Sequence, residues 1–145
     1  MVIFRVVTMV NIINPPIFSL KYPLSLKSLY PHIFSDICSG LLLFVTGMFI
    51  NITSDSILRN LRGPGETGYK IPRGGLFEYV SGANFFGEIV EWIGFAVMSK
   101  SLPSIAFAFF SVCNIGPRAI HHHQWYLEKF PNYPKDRKAI IPFVL

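Results

Sequence analysis

Charge is scarce in this chain. Of 145 residues only 14% are Asp, Glu, Lys or Arg, while 51% are hydrophobic; a soluble domain carries about 25% charged residues. Too few charges remain to cover a water-facing surface, which excludes an ordinary soluble domain. Cysteine is scarce too. Cys38 and Cys113 each stand inside an apolar run, so a disulfide framework is excluded and both read as small buried hydrophobes. No internal repeat or low-complexity tract is present. No Gly-x-Gly-x-x-Gly turn joins a strand to a helix, which excludes a Rossmann site. No carboxylate or cysteine lies at ligand spacing beside His121, His122 and His123. Three neighbours on a helix point in three directions, so no metal site is read there.

What is there is apolar and aromatic: fourteen Phe, six Tyr and two Trp, with apolar residues in long runs rather than on one face, a pattern whose natural solvent is lipid. The net charge of +5 is spread over Arg59, Arg62, Lys70, Arg73, Arg118, Lys129, Lys135, Arg137 and Lys138, between or after those runs. Loops that stay on the cytoplasmic side of a membrane have that distribution. No nucleic-acid-reading motif accompanies it, so no nucleic-acid partner is expected. Membrane spans are expected at 33–52, 79–98 and 101–117. Between the first two, the glycines and prolines from Asn51 to Phe77 mark a structured loop. The third span is short and is expected to continue into the helix bearing Arg118 and His122. The fold class is therefore all-α, a multi-pass transmembrane helix bundle. Residues 1–30 read as a separate short hydrophobic segment rather than a cleaved signal, because Asn11, Asn14, Pro15 and Pro16 interrupt it and no small-residue cleavage site comes after.

The polar residues of these spans fall at helical spacing. Asn51, Asp55, Arg59 and Arg62 stand at i, i+4, i+8 and i+11, within about 80° of one another at 100° per residue. Asn84, Glu88 and Glu91 repeat i, i+4, i+7 on the second span, and Arg118, His122 and Tyr126 repeat i, i+4, i+8 beyond the third. An ionisable group at membrane depth costs at least about 2.5 kcal/mol, so such stripes are expected to face a polar cavity. Arginine, amide and carboxylate side chains together suit a ligand with phosphates, ribose hydroxyls and a carboxamide. Glycines at 63, 65, 74 and 75 can let backbone approach it closely.

From about Gly47 onward the chain resembles the steroid 5α-reductase family. The resemblance rests on Gly-Met-Phe-Ile-Asn-Ile-Thr-Ser-Asp-Ser-Ile-Leu-Arg, on Tyr-Lys-Ile-Pro-Arg-Gly-Gly-Leu-Phe-Glu-Tyr-Val-Ser-Gly-Ala-Asn-Phe-Phe-Gly-Glu, on His-His-His-Gln-Trp-Tyr, and on the tail from Tyr133 to Phe143. It implies that residues 31–145 are the C-terminal part of a seven-helix fold in the endoplasmic reticulum membrane. NADPH would be enclosed near the cytoplasmic side, and a 3-oxo-Δ4 steroid would enter from the bilayer. The family's cofactor contacts match Asn51, Asp55, Arg62, Tyr69, Asn84, Glu88, Arg118, His122 and Tyr126. Asn114 and Ile115 fall at substrate-facing positions, and Asn114 stands where relatives tend to carry an apolar residue. The Tyr and Glu that polarise the steroid carbonyl belong to the family's amino-terminal half, so no catalytic residue is expected in this chain and little or no activity from it alone. The first 30 residues do not resemble the family. The competing expectations are an inactive membrane fragment that keeps part of the NADPH site, and an enoyl-lipid reductase of the same superfamily.

Overall fold

The computed structural model describes residues 26–63 and 65–145, with side chains from residue 34 onward; the expected N-terminal segment up to residue 25 lies outside them. Three helices succeed one another along these residues. Helix α1 is Leu26–Asn60, α2 is Ala83–Ser99 and α3 is Leu102–Lys129, with one 3-10 turn at Gly75–Glu78 before α2. Among the described residues there is no strand, only a parallel bridge between Val80 and Lys138. The 35 residues of α1 make a rod of about 52 Å, well beyond the roughly 30 Å of a bilayer core. Its part Phe34–Asn60 is the one described helix long and apolar enough to cross a membrane by length and composition.

The helix ends follow from local chemistry. Ser101 caps α3, its hydroxyl accepting the Ser104 N–H at 3.3 Å, and Pro103 occupies the first turn, where a missing N–H costs little. Lys100 closes α2 in a left-handed conformation, φ 46°, and its N–H donates to the Ala96 carbonyl. α3 runs through Pro117, giving up only the bond to the carbonyl four residues earlier. It continues past residue 117 to carry Arg118, His122 and Tyr126. The second helix differs from the expected 79–98. Tyr79, Ser81 and Gly82 lie outside the helix and bond through their backbone to the C-terminal tail: Lys138 N–H donates to Tyr79 O, Ser81 N–H to Lys138 O, and Gly82 N–H to Ala139 O, at 2.9, 2.8 and 3.0 Å. Those backbone groups are satisfied outside a helix, so α2 begins only at Ala83.

Helices α1 and α2 pack antiparallel, backbone on backbone. A Cβ on Gly40 would lie 2.8 Å from the Gly94 carbonyl, and one on Gly87 would lie 2.6 Å from the Asn51 nitrogen. Small residues admit this approach, and the seven-residue interval in each helix, 40 to 47 and 87 to 94, keeps both meeting points in register. Against α3, α2 packs Trp92 and Phe95 onto Ala108. Nearer the other end, Phe85, Phe86 and Ile89 pack on Ile115, Ala119 and the tail's Ile140. The outer face of α1 carries exposed Phe34, Leu42 and Phe49. Cys38 and Cys113, expected to be buried, are free and exposed, because apolar residues here also cover the outside of the helices.

Candidate functional site

The antiparallel packing gathers the last turns of α1, the first turns of α2 and the second half of α3 at one end of the unit. The site residues named from sequence all belong to these segments or to the loop between α1 and α2, save Asn114 and Ile115. Asp36 and Lys100 form an ion pair at the opposite end.

Arg62 lies just past the end of α1 rather than on it, and its guanidinium sits 5.0 Å over the Tyr69 ring. Tyr69 meets Trp125 edge-on at 4.9 Å. Trp125 contacts Tyr126 at 5.3 Å and His122 at 6.2 Å, and His122 lies 5.2 Å from Tyr126 and 6.3 Å from Phe85 of α2. One cationic and aromatic ledge therefore joins Arg62, Tyr69, His122 and Tyr126, from two segments far apart in sequence. The loop that presents it is folded on Glu66, whose carboxylate accepts the Gly63 N–H at 2.9 Å and pairs with Lys70. The Lys70 hydrogen bond, more than that of Gly63, holds the Glu66 carboxyl below its ordinary range.

Asn51 is buried and donates its side-chain amide to the Asn84 carbonyl at 2.8 Å. That donor ties α1 to α2, leaving the Asn51 amide oxygen and the half-buried Asn84 side chain as polar groups at this junction. Asp55 and Glu88 are half-buried and Arg118 is exposed. Partial burial lowers the His122 imidazole from its ordinary value. Burial first, then Tyr133, pushes the Tyr126 phenol up, so it stays protonated. Asn114 is exposed and donates to the Phe110 carbonyl of its own helix at 3.1 Å, whereas Ile115 is buried in the cluster with Ala119 and Ile140. Neither belongs to the ring contacts that form the ledge, although Phe85 packs both on the Ile115 cluster and beside His122.

Several residues that pattern did not single out lie behind it. Arg137 reads from sequence as one more basic tail residue, yet it is 2% exposed. Its Nη1 donates to the Pro72 carbonyl at 2.9 Å, its Nη2 lies 3.4 Å from Glu78, and its guanidinium sits 5.4 Å over Tyr133. Glu78 in turn accepts the Gly74 N–H at 2.6 Å, the main reason its carboxyl is held low. Ser81 Oγ lies 2.6 Å from His123 Nδ1 and 2.7 Å from the Tyr133 hydroxyl. The three histidines do diverge: His121 is exposed, His122 faces Phe85 and Tyr126, and His123 faces Ser81. Among the described residues no group of three or more metal-binding side chains converges. Glu91 is fully buried, on the α2 surface that meets Gly47.

Residues 3–145 match the family model of the 3-oxo-5-alpha-steroid 4-dehydrogenases. The chain is 64% identical over 107 residues to 3-oxo-5-alpha-steroid 4-dehydrogenase 2 of Macaca fascicularis, covering 74% of this chain and 42% of that protein. It is 66% identical over 107 residues to 3-oxo-5-alpha-steroid 4-dehydrogenase 1 of Mus musculus, with the same two coverages. Against the human type 2 protein the figures are 65% over 105 residues, 72% of this chain and 41% of the relative. The chain thus spans well under half the length of the relatives it matches. With the family model spanning nearly every residue, this chain belongs to the 3-oxo-5-alpha-steroid 4-dehydrogenase family.

Proposed function

We propose that the chain is the NADPH-holding part of a membrane oxidoreductase that reduces the 4,5 double bond of 3-oxo steroids such as testosterone and progesterone to 5α products. In this reading α1, α2 and α3 all cross the bilayer of the endoplasmic reticulum as part of a seven-helix bundle. The ledge faces the cytoplasmic side, where basic residues concentrate.

The observation that carries the proposal is the contact series from Arg62 through Tyr69 and Trp125 to Tyr126 and His122. It stands at the end of the unit where Asn51 and Asn84 are also joined. Its donor chemistry fits NADPH. The exposed guanidinium groups of Arg62 and Arg118 can fork onto phosphate oxygens. The aromatic faces of Tyr69 and Trp125 suit a flat base. Asn84 and Glu88 offer an amide and a carboxylate for the nicotinamide carboxamide or a ribose hydroxyl. A nicotinamide held by these residues would supply hydride for C5 of the enone, with a proton then taken up at C4. His122 and Tyr126 would offer hydrogen bonds to the cofactor without adding a negative charge, and the Asn51 to Asn84 bond fixes the helices that carry the polar groups.

The family resemblance puts the steroid-carbonyl Tyr and Glu in the amino-terminal half of the relatives, and no residue of the present chain is given that role. Loss of such an electrophilic stabiliser costs several kcal/mol of the barrier, about two to three orders of magnitude in rate. The expected result for the purified chain in detergent is saturable NADPH binding, with no 5α-reduced steroid detected by mass spectrometry. Product should appear when the amino-terminal half of a type 1 or type 2 relative is co-produced. Failure to bind NADPH contradicts the proposal. Consumption of long-chain enoyl substrates alone, in the co-produced complex, would move the substrate class from steroid to lipid.

A further inference from the structure

Three segments meet at one buried hydroxyl. Ser81 precedes α2, His123 is on α3 and Tyr133 is in the tail; Ser81 and Tyr133 are each 4% exposed. A serine hydroxyl has one proton to give and two lone pairs, so the 2.6 and 2.7 Å contacts can both be hydrogen bonds at once. The backbone bonds of Lys138, Ser81 and Gly82 lie beside this point, and Ile140 adds an apolar anchor under Phe85 and Ala119. The tail is therefore held by polar bonds and by packing.

The ring of Tyr133 leads from this anchor to the ledge. It lies nearly parallel to Tyr126, interplanar angle 14° and centroids 5.2 Å apart. Tyr126 in turn contacts His122 and Trp125. A tyrosine held only by packing can swing its hydroxyl end sideways, whereas a bond at the hydroxyl fixes the position of that end and with it the offset of the ring in the stack. We propose that residues 130–145 act as a strap latched by the hydroxyls of Ser81 and Tyr133, and that Tyr133 is a positioning residue which sets Tyr126, and with it His122 and Trp125, in the candidate cofactor site. The latch stands on contacts in the chain itself; its consequence for cofactor rests on the NADPH reading.

The test uses the full chain in detergent with Trp92→Phe as background, which leaves Trp125 as the sole emitter of the two tryptophans. Tyr133→Phe removes the hydroxyl and keeps the ring; Ser81→Ala removes the other half of the latch. With helical circular dichroism unchanged, both variants should shift Trp125 emission and increase its quenching by iodide. Corrected amide exchange at Ser81, Gly82 and Lys138 should quicken about fivefold, and NADPH and NADH should both weaken about fivefold, the size of one hydrogen bond. Unchanged amide exchange in both variants overturns the latch. Faster exchange with Trp125 emission unchanged overturns the positioning role. If the unsubstituted chain binds no NADPH, the cofactor reading fails while exchange and emission still decide the strap.

Discussion

Gly47 on α1 and Gly87 on α2 meet so closely that a Cβ on Gly87 would lie 2.9 Å from the Gly47 carbonyl oxygen and 2.6 Å from the Asn51 nitrogen. The neighbours in question are backbone, which cannot swing aside. Gly87→Ala is expected to push the helices apart, destabilise the chain by about 1–3 kcal/mol and break the bond from Asn51 to Asn84. Thermal unfolding in detergent, monitored by helical circular dichroism, reads the first effect. The side-chain amide resonance of Asn51 reads the second. An unchanged melting temperature would contradict the packing.

Arg137 is buried with a fork of contacts that lysine cannot reproduce. Arg137→Lys should lose the bonds to Pro72 and Glu78 and cost about 2 kcal/mol, loosening both the tail and the turn Gly75–Glu78. Limited proteolysis should cut the variant after Lys135 or Lys138 faster than the parent chain. Equal cleavage rates would show that the guanidinium contacts do not hold the tail.

Acidification should act at His123. Burial, and secondarily Lys138, hold its imidazole below the ordinary value; Ser81 and Tyr133 face it directly, and Arg137 stacks on Tyr133. The unfolded histidine titrates near 6.5, so between that pH and the lower folded value the unfolded chain binds more protons. Stability contributed by neutral His123 is complete above about pH 6.5 and falls as pH drops through the folded value. Burial of His122 acts in the same direction. Thermal unfolding from pH 8 to 5 should therefore show a loss that is smaller in His123→Gln. An identical pH profile for the two chains would contradict the role given to His123.

Under the proposed function Arg62 and Arg118 would meet phosphate. Replacing either by Ala should weaken NADPH about tenfold more than NADH if that arginine meets the 2′-phosphate. Equal losses for both cofactors would remove the assignment.

How much of the fold and site was legible in the sequence varies with the range of the physics. Helical spacing placed Asn51, Asp55, Asn84, Glu88, His122 and Tyr126 on helices whose ends gather together, because a period of 3.6 residues is local. Composition pointed to the all-helical class. The beginning of α2 was misplaced by four residues because Tyr79, Val80 and Ser81 look as apolar or helical as the residues of α2 itself. Only the distant tail residue Lys138, which bonds to Tyr79 and Ser81 and bridges Val80, keeps them out of the helix. Arg137 and Ser81 were missed for the same reason: their burial depends on contacts more than 50 positions away. One hint was the seven-residue spacing, Gly40 to Gly47 and Gly87 to Gly94, which marks a close helix pair once both helices are considered together.

The sharpest check on the cofactor site is calorimetric titration of the 145-residue chain in nanodiscs with NADPH and, separately, with NADH. Saturable binding at one site is expected, tighter for NADPH by about tenfold as befits arginines that meet a 2′-phosphate. Absence of saturable binding by either dinucleotide would contradict it.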